Sequence, residues 1–143
     1  MITAVRHIGI VVNDMERCLL FWRDIMGFKV VADFREEGSY IDTVEALNNV
    51  RLHMIKLASP DGVLIELLKD HSHPSARMGS NILCDMGIRH IAFTTDDADS
   101  TWNRLNEGGF ETLSKPVVSP DKKAKLFFAR DPEENLLELV QML

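Results

Sequence analysis

The sequence predicts an α+β protein built from two tandem βαβββ modules within one domain, and three observations carry that prediction. The stretch "RHIGIVVNDMERC" at 6–18 is answered by "RHIAFTTDDADST" at 89–101: each gives Arg-His-Ile, an apolar run, an acidic turn and a helix-like pattern. The two halves also end alike. Pro60 precedes Glu66 of "LIELL" by six residues, as Pro132 precedes Glu138 of "LLELV". Finally, 143 residues are enough for one ordinary core and too few for two independent ones. The spacing between copies is 83 residues from His7 to His90 and 72 from Glu66 to Glu138, so the first copy carries about ten extra residues, in its 35–49 segment. The organisation read from this is module 1 at about 1–70, a linker at about 71–87 and module 2 at about 88–143.

Each element has its own signal. In "VRHIGIVV" (5–12), Ile8, Ile10 and Val12 fall on one face and Val5, His7, Gly9 and Val11 on the other, the period of a strand. Asn13 or Asp14 can cap a helix in which Met15, Leu19, Trp22 and Met26 recur at helical spacing, with Gly27 as its stop. "FKVVADF" reads as a second strand, "NVRLHMIKLA" as a third and "VLIELLK", after the turn-forming "SPDG", as a fourth. "GSYIDTVEALNN" reads equally as a short helix or a mobile loop. In the second half "GIRHIAFTT" is a strand and "DDADSTWNRLNEGG" a capped helix with Ala98, Trp102 and Leu105 inward. "FETLS", "AKLFFARD" and "NLLELVQM" are the remaining strands.

Composition excludes several function classes. A net charge of -6 and a pI near 5.3 argue against nucleic acid or an anionic membrane as partner, since polyanions reward a basic face. No apolar run approaches the roughly 20 residues of a membrane-spanning helix, and no signal-peptide pattern opens the chain. Two cysteines, Cys18 and Cys84, make neither a disulfide framework nor a thiolate metal cluster. A reduced, cytoplasmic protein is expected.

The chemistry lies in what the repeat repeats. Each copy sets a histidine in its first strand and a glutamate in its last, and strand parity sends Ile65 and Leu67 one way and Glu66 the other, as it does Leu137 and Leu139 against Glu138. An ionised glutamate amid apolar strand residues is costly unless paired, and a divalent cation is an effective partner. His7, Glu66, His90 and Glu138 together suit a six-coordinate Ni, Co, Zn, Mn or Fe ion with two positions open, and the lack of thiolates argues against a structural zinc. Alone, any of the four is more simply a satisfied core or solvent-facing residue. Their matched placement in two copies is what favours a metal.

These motifs resemble the vicinal oxygen chelate superfamily, which includes glyoxalase I, methylmalonyl-CoA epimerase, extradiol dioxygenases and fosfomycin-resistance thiol transferases. The resemblance runs from "HIGIVV" through "FWRDIMGF", "SPDGVLIELL" and "IRHIAF" to "RDPEENLLEL". It implies modules whose sheets curl into an open, cup-shaped mixed barrel flanked by helices, with the metal at its floor. The His-Glu-His-Glu set is similar to those of bacterial glyoxalase I and the methylmalonyl-CoA epimerases. Their shared step removes a proton beside a carbonyl, stabilises the enediolate at the metal and returns the proton. By resemblance Glu138 is the base and Glu66 its counterpart. The substrate class implied is a small carbonyl compound, as a glutathione adduct or a coenzyme A thioester.

Other residues are candidates for substrate contact. His53 and Arg51 share a strand face that can point into the cup, and Lys125 of "KKAK" with Arg130 can hold a phosphate, carboxylate or coenzyme A tail, although a lysine run before a strand also suits a solvated loop. His71 and His73 read as a solvent-exposed pair, and Trp22, Phe127 and Phe128 as core aromatics. Two classes stay open: a metal-dependent isomerase or lyase, and a ligand-sequestering protein of the bleomycin-resistance kind without metal chemistry. A homodimer is expected for either, its site closed within one chain or exchanged between two.

Overall fold

The computed structural model describes residues 1–73, 82–84 and 86–143; residues 74–81 and 85, within the expected linker, lie outside the described residues. The chain forms two compact units, Met1–Ala76 and Arg77–Leu143.

The first unit runs β1 (Ile8–Val11), α1 (Met15–Leu19), a π-helical turn (Leu20–Ile25), β2 (Lys29–Glu37), α2 (Ser39–Glu45), β3 (Arg51–Ala58) and β4 (Leu64–Asp70). Its four strands are ordered β1-β4-β3-β2, with β1 parallel to β4 and the rest antiparallel. The second unit repeats the plan with β5 (His90–Thr94), α3 (Ala98–Glu107), β6 (Val117–Val118), β7 (Ala124–Arg130) and β8 (Leu136–Met142), ordered β5-β8-β7-β6. This is the expected α+β architecture: mixed sheets in which the helix after the first strand leads to the strand at the opposite edge.

Local chemistry explains the helices. Asp14 caps α1, its carboxylate accepting from the Arg17 amide at 3.0 Å, and Asp97 caps α3 by accepting from Ser100 at 3.0 Å. After Leu19 the ladder widens by one residue, so the Met26 amide donates to the Phe21 carbonyl at 2.9 Å. The wider turn places Phe21 and Trp22 side by side inward, both fully buried with rings edge-to-face at 5.1 Å. Gly27, at φ +78°, ends it where a side chain would be strained.

The face of each sheet toward its helix is the core. In the first unit it is formed by Ile55, Leu57, Ile65 and Leu67, in the second by Phe127, Ala129, Leu137 and Leu139, all buried. The 35–49 segment forms α2, which lies on the opposite face: Ile41 is buried against Val50, Leu52 and Met54, with Phe34 and Leu68 beside them. Asp42 closes the loop behind α2 by accepting from the amides of Asn49 (3.0 Å) and Val50 (2.8 Å).

Several expectations change. "FETLS" is not a strand: it contributes one bridge, Thr112 to Ala129, and the edge strand forms later at Val117–Val118. Trp102 is half-buried, its indole N–H donating to the Ser114 carbonyl, and Thr101 takes the inward position instead. Phe128 is not in the core but on the other face of β7. Cys18 is buried and Cys84 exposed, and neither is in a disulfide. No helix among the described residues is long and apolar enough to cross a membrane.

Candidate metal and substrate site

Each unit brings its histidine and its glutamate together. In the first, β1 runs parallel to β4 with Gly9 beside Glu66, so His7, two residues earlier on the same face, reaches across the strand. His7 Nε2 stands 3.1 Å from Glu66 Oε2. In the second, Ala92 lies beside Glu138 and His90 is again two residues earlier, with Nε2 3.4 Å from Glu138 Oε2. Two donors bound to one ion at about 2.1 Å stand about 3.0 Å apart at right angles and about 3.4 Å apart at the tetrahedral angle, so both pairs fall in the range of two donors on one cation. The His7 Nδ1 is buried and has no hydrogen-bond partner among the described residues, which a satisfied core histidine would have. Both observations fit a bound cation. Among the described residues, however, no three His, Cys, Asp or Glu side chains gather into one metal-holding group; two pairs are what the structure places together.

The surroundings of the pairs differ. Lys56 lies directly across the β3–β4 hairpin from Glu66 and contacts it, Nζ to Oε1, at 3.1 Å. Both oxygens of a side chain only 8% exposed are thus engaged. Sequence reasoning assigned Glu66's charge to a metal and overlooked this partner, although the "SPDG" turn sets residues 56 and 66 at equal distances from Asp61. In the second unit the corresponding position is Phe128, across from Glu138, and its ring meets His90 edge-to-face at 5.4 Å. Glu138 is 22% exposed.

The candidate substrate contacts do not share the site as expected. His53 and Arg51 do share a face, but parity along β3 puts it opposite that of Lys56 and Glu66, toward α1. There His53 Nε2 is 2.7 Å from Asp33 Oδ1 and its ring lies parallel to His71 at 6.4 Å, beside an open cleft of roughly 560 Å³. Lys125 is likewise on the helix side of its sheet, ion-paired with Asp99 of α3. Arg130 does lie on the Glu138 face, where Glu111 (3.6 Å) and Glu134 (3.8 Å) hold its guanidinium. His73 pairs with Asp70 at 3.2 Å rather than standing free.

Two βαβββ units, each presenting a histidine at or just before the start of its first strand to a glutamate on its last, define a duplicated fold of the glyoxalase type. The chain belongs to the glyoxalase/bleomycin resistance protein/dioxygenase superfamily, whose family model matches residues 4–139. It is 28% identical to the uncharacterized protein YwkD of Bacillus subtilis over 99% of this chain and 98% of that one. It is 26% identical to the lactoylglutathione lyase of Schizosaccharomyces pombe over 95% of this chain, which spans 46% of that enzyme. Among solved structures, a glyoxalase family protein from Bacillus cereus superposes with a TM-score of 0.91 at 23% identity, covering 100% of this chain and 96% of that one. The superfamily includes many enzymes, and its members commonly bind a divalent metal ion.

Proposed function

We propose that the chain is a divalent-metal-dependent isomerase or lyase acting on a proton beside a carbonyl, in the manner of a glyoxalase I. The ion, of the Ni, Co, Zn, Mn or Fe type, is held by His7, Glu66, His90 and Glu138. The observation that carries this reading is the ligand-edge separation of both pairs, 3.1 and 3.4 Å, repeated in matching places of two units. Similarity to a lactoylglutathione lyase supports the reaction class.

A bound divalent ion would supply Lewis-acid stabilisation of charge developing on a substrate oxygen. The proton work falls to the chain. Glu138 is the base: it is more exposed than Glu66, and among the described residues its ion-pair partner is His90 alone. It takes the proton from the carbon beside the carbonyl and returns it at the neighbouring carbon or the opposite face. Phe128, against the His90 ring, limits how that ring can turn. Glu66, buried with Lys56, is the anchoring carboxylate. The substrate is a small carbonyl compound, with a glutathione adduct or a coenzyme A thioester as candidates; racemisation of an acyl-CoA in the epimerase manner uses the same step. A homodimer in the cytoplasm is the proposed setting.

The test is elemental analysis of protein purified without a chelating column, for the wild type, His7→Ala and His90→Ala. One ion per wild-type chain, lost in both variants, is the expected result and leads to assays with methylglyoxal–glutathione hemithioacetal and methylmalonyl-CoA. A wild type that takes up none of Ni, Co, Zn, Mn or Fe(II) sinks the enzyme reading and leaves a ligand-sequestering protein.

A further inference from the structure

The repeat is broken at one position that matters. Counting across the last hairpin of each unit, the residue facing the glutamate is Lys56 in the first and Phe128 in the second. An apolar residue therefore serves the fold at this place. A lysine there brings a charge onto a largely covered surface, which is costly to desolvate, and its head is held on two sides: by Glu66 at 3.1 Å and by the Phe34 ring, whose centroid is 5.3 Å away. Further along the same face, Leu52 and Met54 are closed over by Ile41 of α2. Lys56, still 24% exposed, is the first residue of β3 on that face beyond the apolar cluster.

We propose that Lys56 is the anion contact of this site, and that the substrate carries a carboxylate beside its carbonyl. The inference rests on the metal reading above. Once a dication draws on Glu66, the ammonium 3.1 Å from that carboxylate has a second positive charge as its neighbour. Like charges sharing one carboxylate repel, and an anionic oxygen brought by the ligand relieves both. The compact ammonium suits a single carboxylate oxygen, where a guanidinium would favour a bidentate pair. Lys56 is thus a specificity residue, selecting carbonyl compounds that bear a carboxylate over neutral ones of similar size.

The experiment titrates the Mn(II)-loaded full chain with pyruvate and with neutral butane-2,3-dione by calorimetry, for wild type, Lys56→Met and Lys56→Arg. Mn(II) binding to each is measured independently from the free-ion electron paramagnetic resonance signal, and folding from circular dichroism. The expected result is that wild type prefers pyruvate and that Lys56→Met binds it at least roughly tenfold more weakly, the loss of one charge-assisted contact. Lys56→Arg retains most of the preference, butanedione binding is unchanged throughout, and Lys56→Met holds Mn(II) at least as tightly as wild type. Should Lys56→Met misfold, Lys56→Gln serves the same comparison. Equal pyruvate affinity in wild type and a folded, Mn(II)-binding variant overturns the inference and leaves the metal reading intact. A wild type that binds no Mn(II), Ni, Co, Zn or Fe(II) fails the metal reading itself, and the inference with it.

Discussion

At Glu66 one carboxylate holds both His7 and Lys56 at 3.1 Å, while at Glu138 the nearest partner is a single histidine at 3.4 Å. Removing the charge at the first position leaves an ammonium without its counter-ion on a mostly covered surface. Breaking a fully buried pair costs about 3–5 kcal/mol, and the partial exposure of Lys56 reduces the expectation for Glu66→Gln to about 2 kcal/mol. Glu138→Gln, on a more exposed side chain, is expected to cost under about 1 kcal/mol. Urea unfolding of both variants in chelator measures the difference, and equal costs would contradict the structural asymmetry. Asp70 makes a pH-dependent contribution. Burial works to raise its carboxyl, but the Ser72 hydroxyl (2.5 Å) and the amides of His73 (2.9 Å) and Ser72 (2.7 Å) outweigh it and hold the group below its ordinary 3.8. A depressed acid contributes stability that is present above its unfolded value and lost as pH falls through the folded one. The stability gap between wild type and Asp70→Asn should therefore be constant near neutral pH and shrink below about pH 4; a gap independent of pH down to 3 would show that these bonds do not set the titration. Asp131 shifts the other way, since burial raises its carboxyl against hydrogen bonds from Asn135 and Glu133.

Between the scale of residues and that of the fold, α2 is the element that distinguishes the first unit from the second. Its anchor is Ile41, 5% exposed, seated on Val50, Leu52 and Met54. Ile41→Ala leaves a cavity in that cluster and is expected to cost about 2–4 kcal/mol, with amides of 39–50 losing hydrogen-exchange protection before those of β4. Protection lost uniformly across the unit would mean that α2 does not open separately. The sequence could not decide between helix and loop here because one inward residue in "SYIDTVE" creates no helical period. Where the pattern was strong, as in "VLIELLK" and "NLLELVQM", strand, parity and inward residues were all legible. The π-helical turn was not: its extra residue turns Phe21 inward, so the buried face is Met15, Cys18, Phe21 and Trp22, and Leu19 and Met26 of the expected series are only half-buried. Of the candidate site, the pairing within each unit was legible from matched residue types: His7 meets Glu66 and His90 meets Glu138, while one ion held by all four is proposed. Lys56 escaped because cross-strand register depends on the hairpin's centre. His53 and Arg51 were misplaced because sharing a face with each other does not say which face: the 13-residue step from His53 to Glu66, folded through the hairpin, puts them on opposite sides.

For the whole molecule the question is whether two pairs serve one ion or two, and mass action separates these cases. Any ligand that binds the folded chain alone stabilises it by about 2.7 kcal/mol at 100 times its dissociation constant. For a chain of this length that corresponds to roughly 5–10 °C in melting temperature. If four donors hold one ion, wild type shows that shift with one equivalent bound, and chelator abolishes it. His7→Ala and His90→Ala then each lose nearly all of it, though the two residues belong to different units, because three ligands bind far more weakly than four. If each pair instead holds its own ion, wild type binds two equivalents, and each variant keeps one along with a part of the shift. Differential scanning calorimetry with metal titrated from zero to ten equivalents distinguishes the outcomes without any assumption about substrate. It bears equally on why the motif is duplicated. One His-Glu pair would supply two of six coordination positions and leave a cation mostly to water, whereas four donors on one ion, as proposed, would hold it more tightly and still leave two positions open. A duplication that merely doubled the number of weak sites would offer no such gain, and would predict two ions of equal, low affinity.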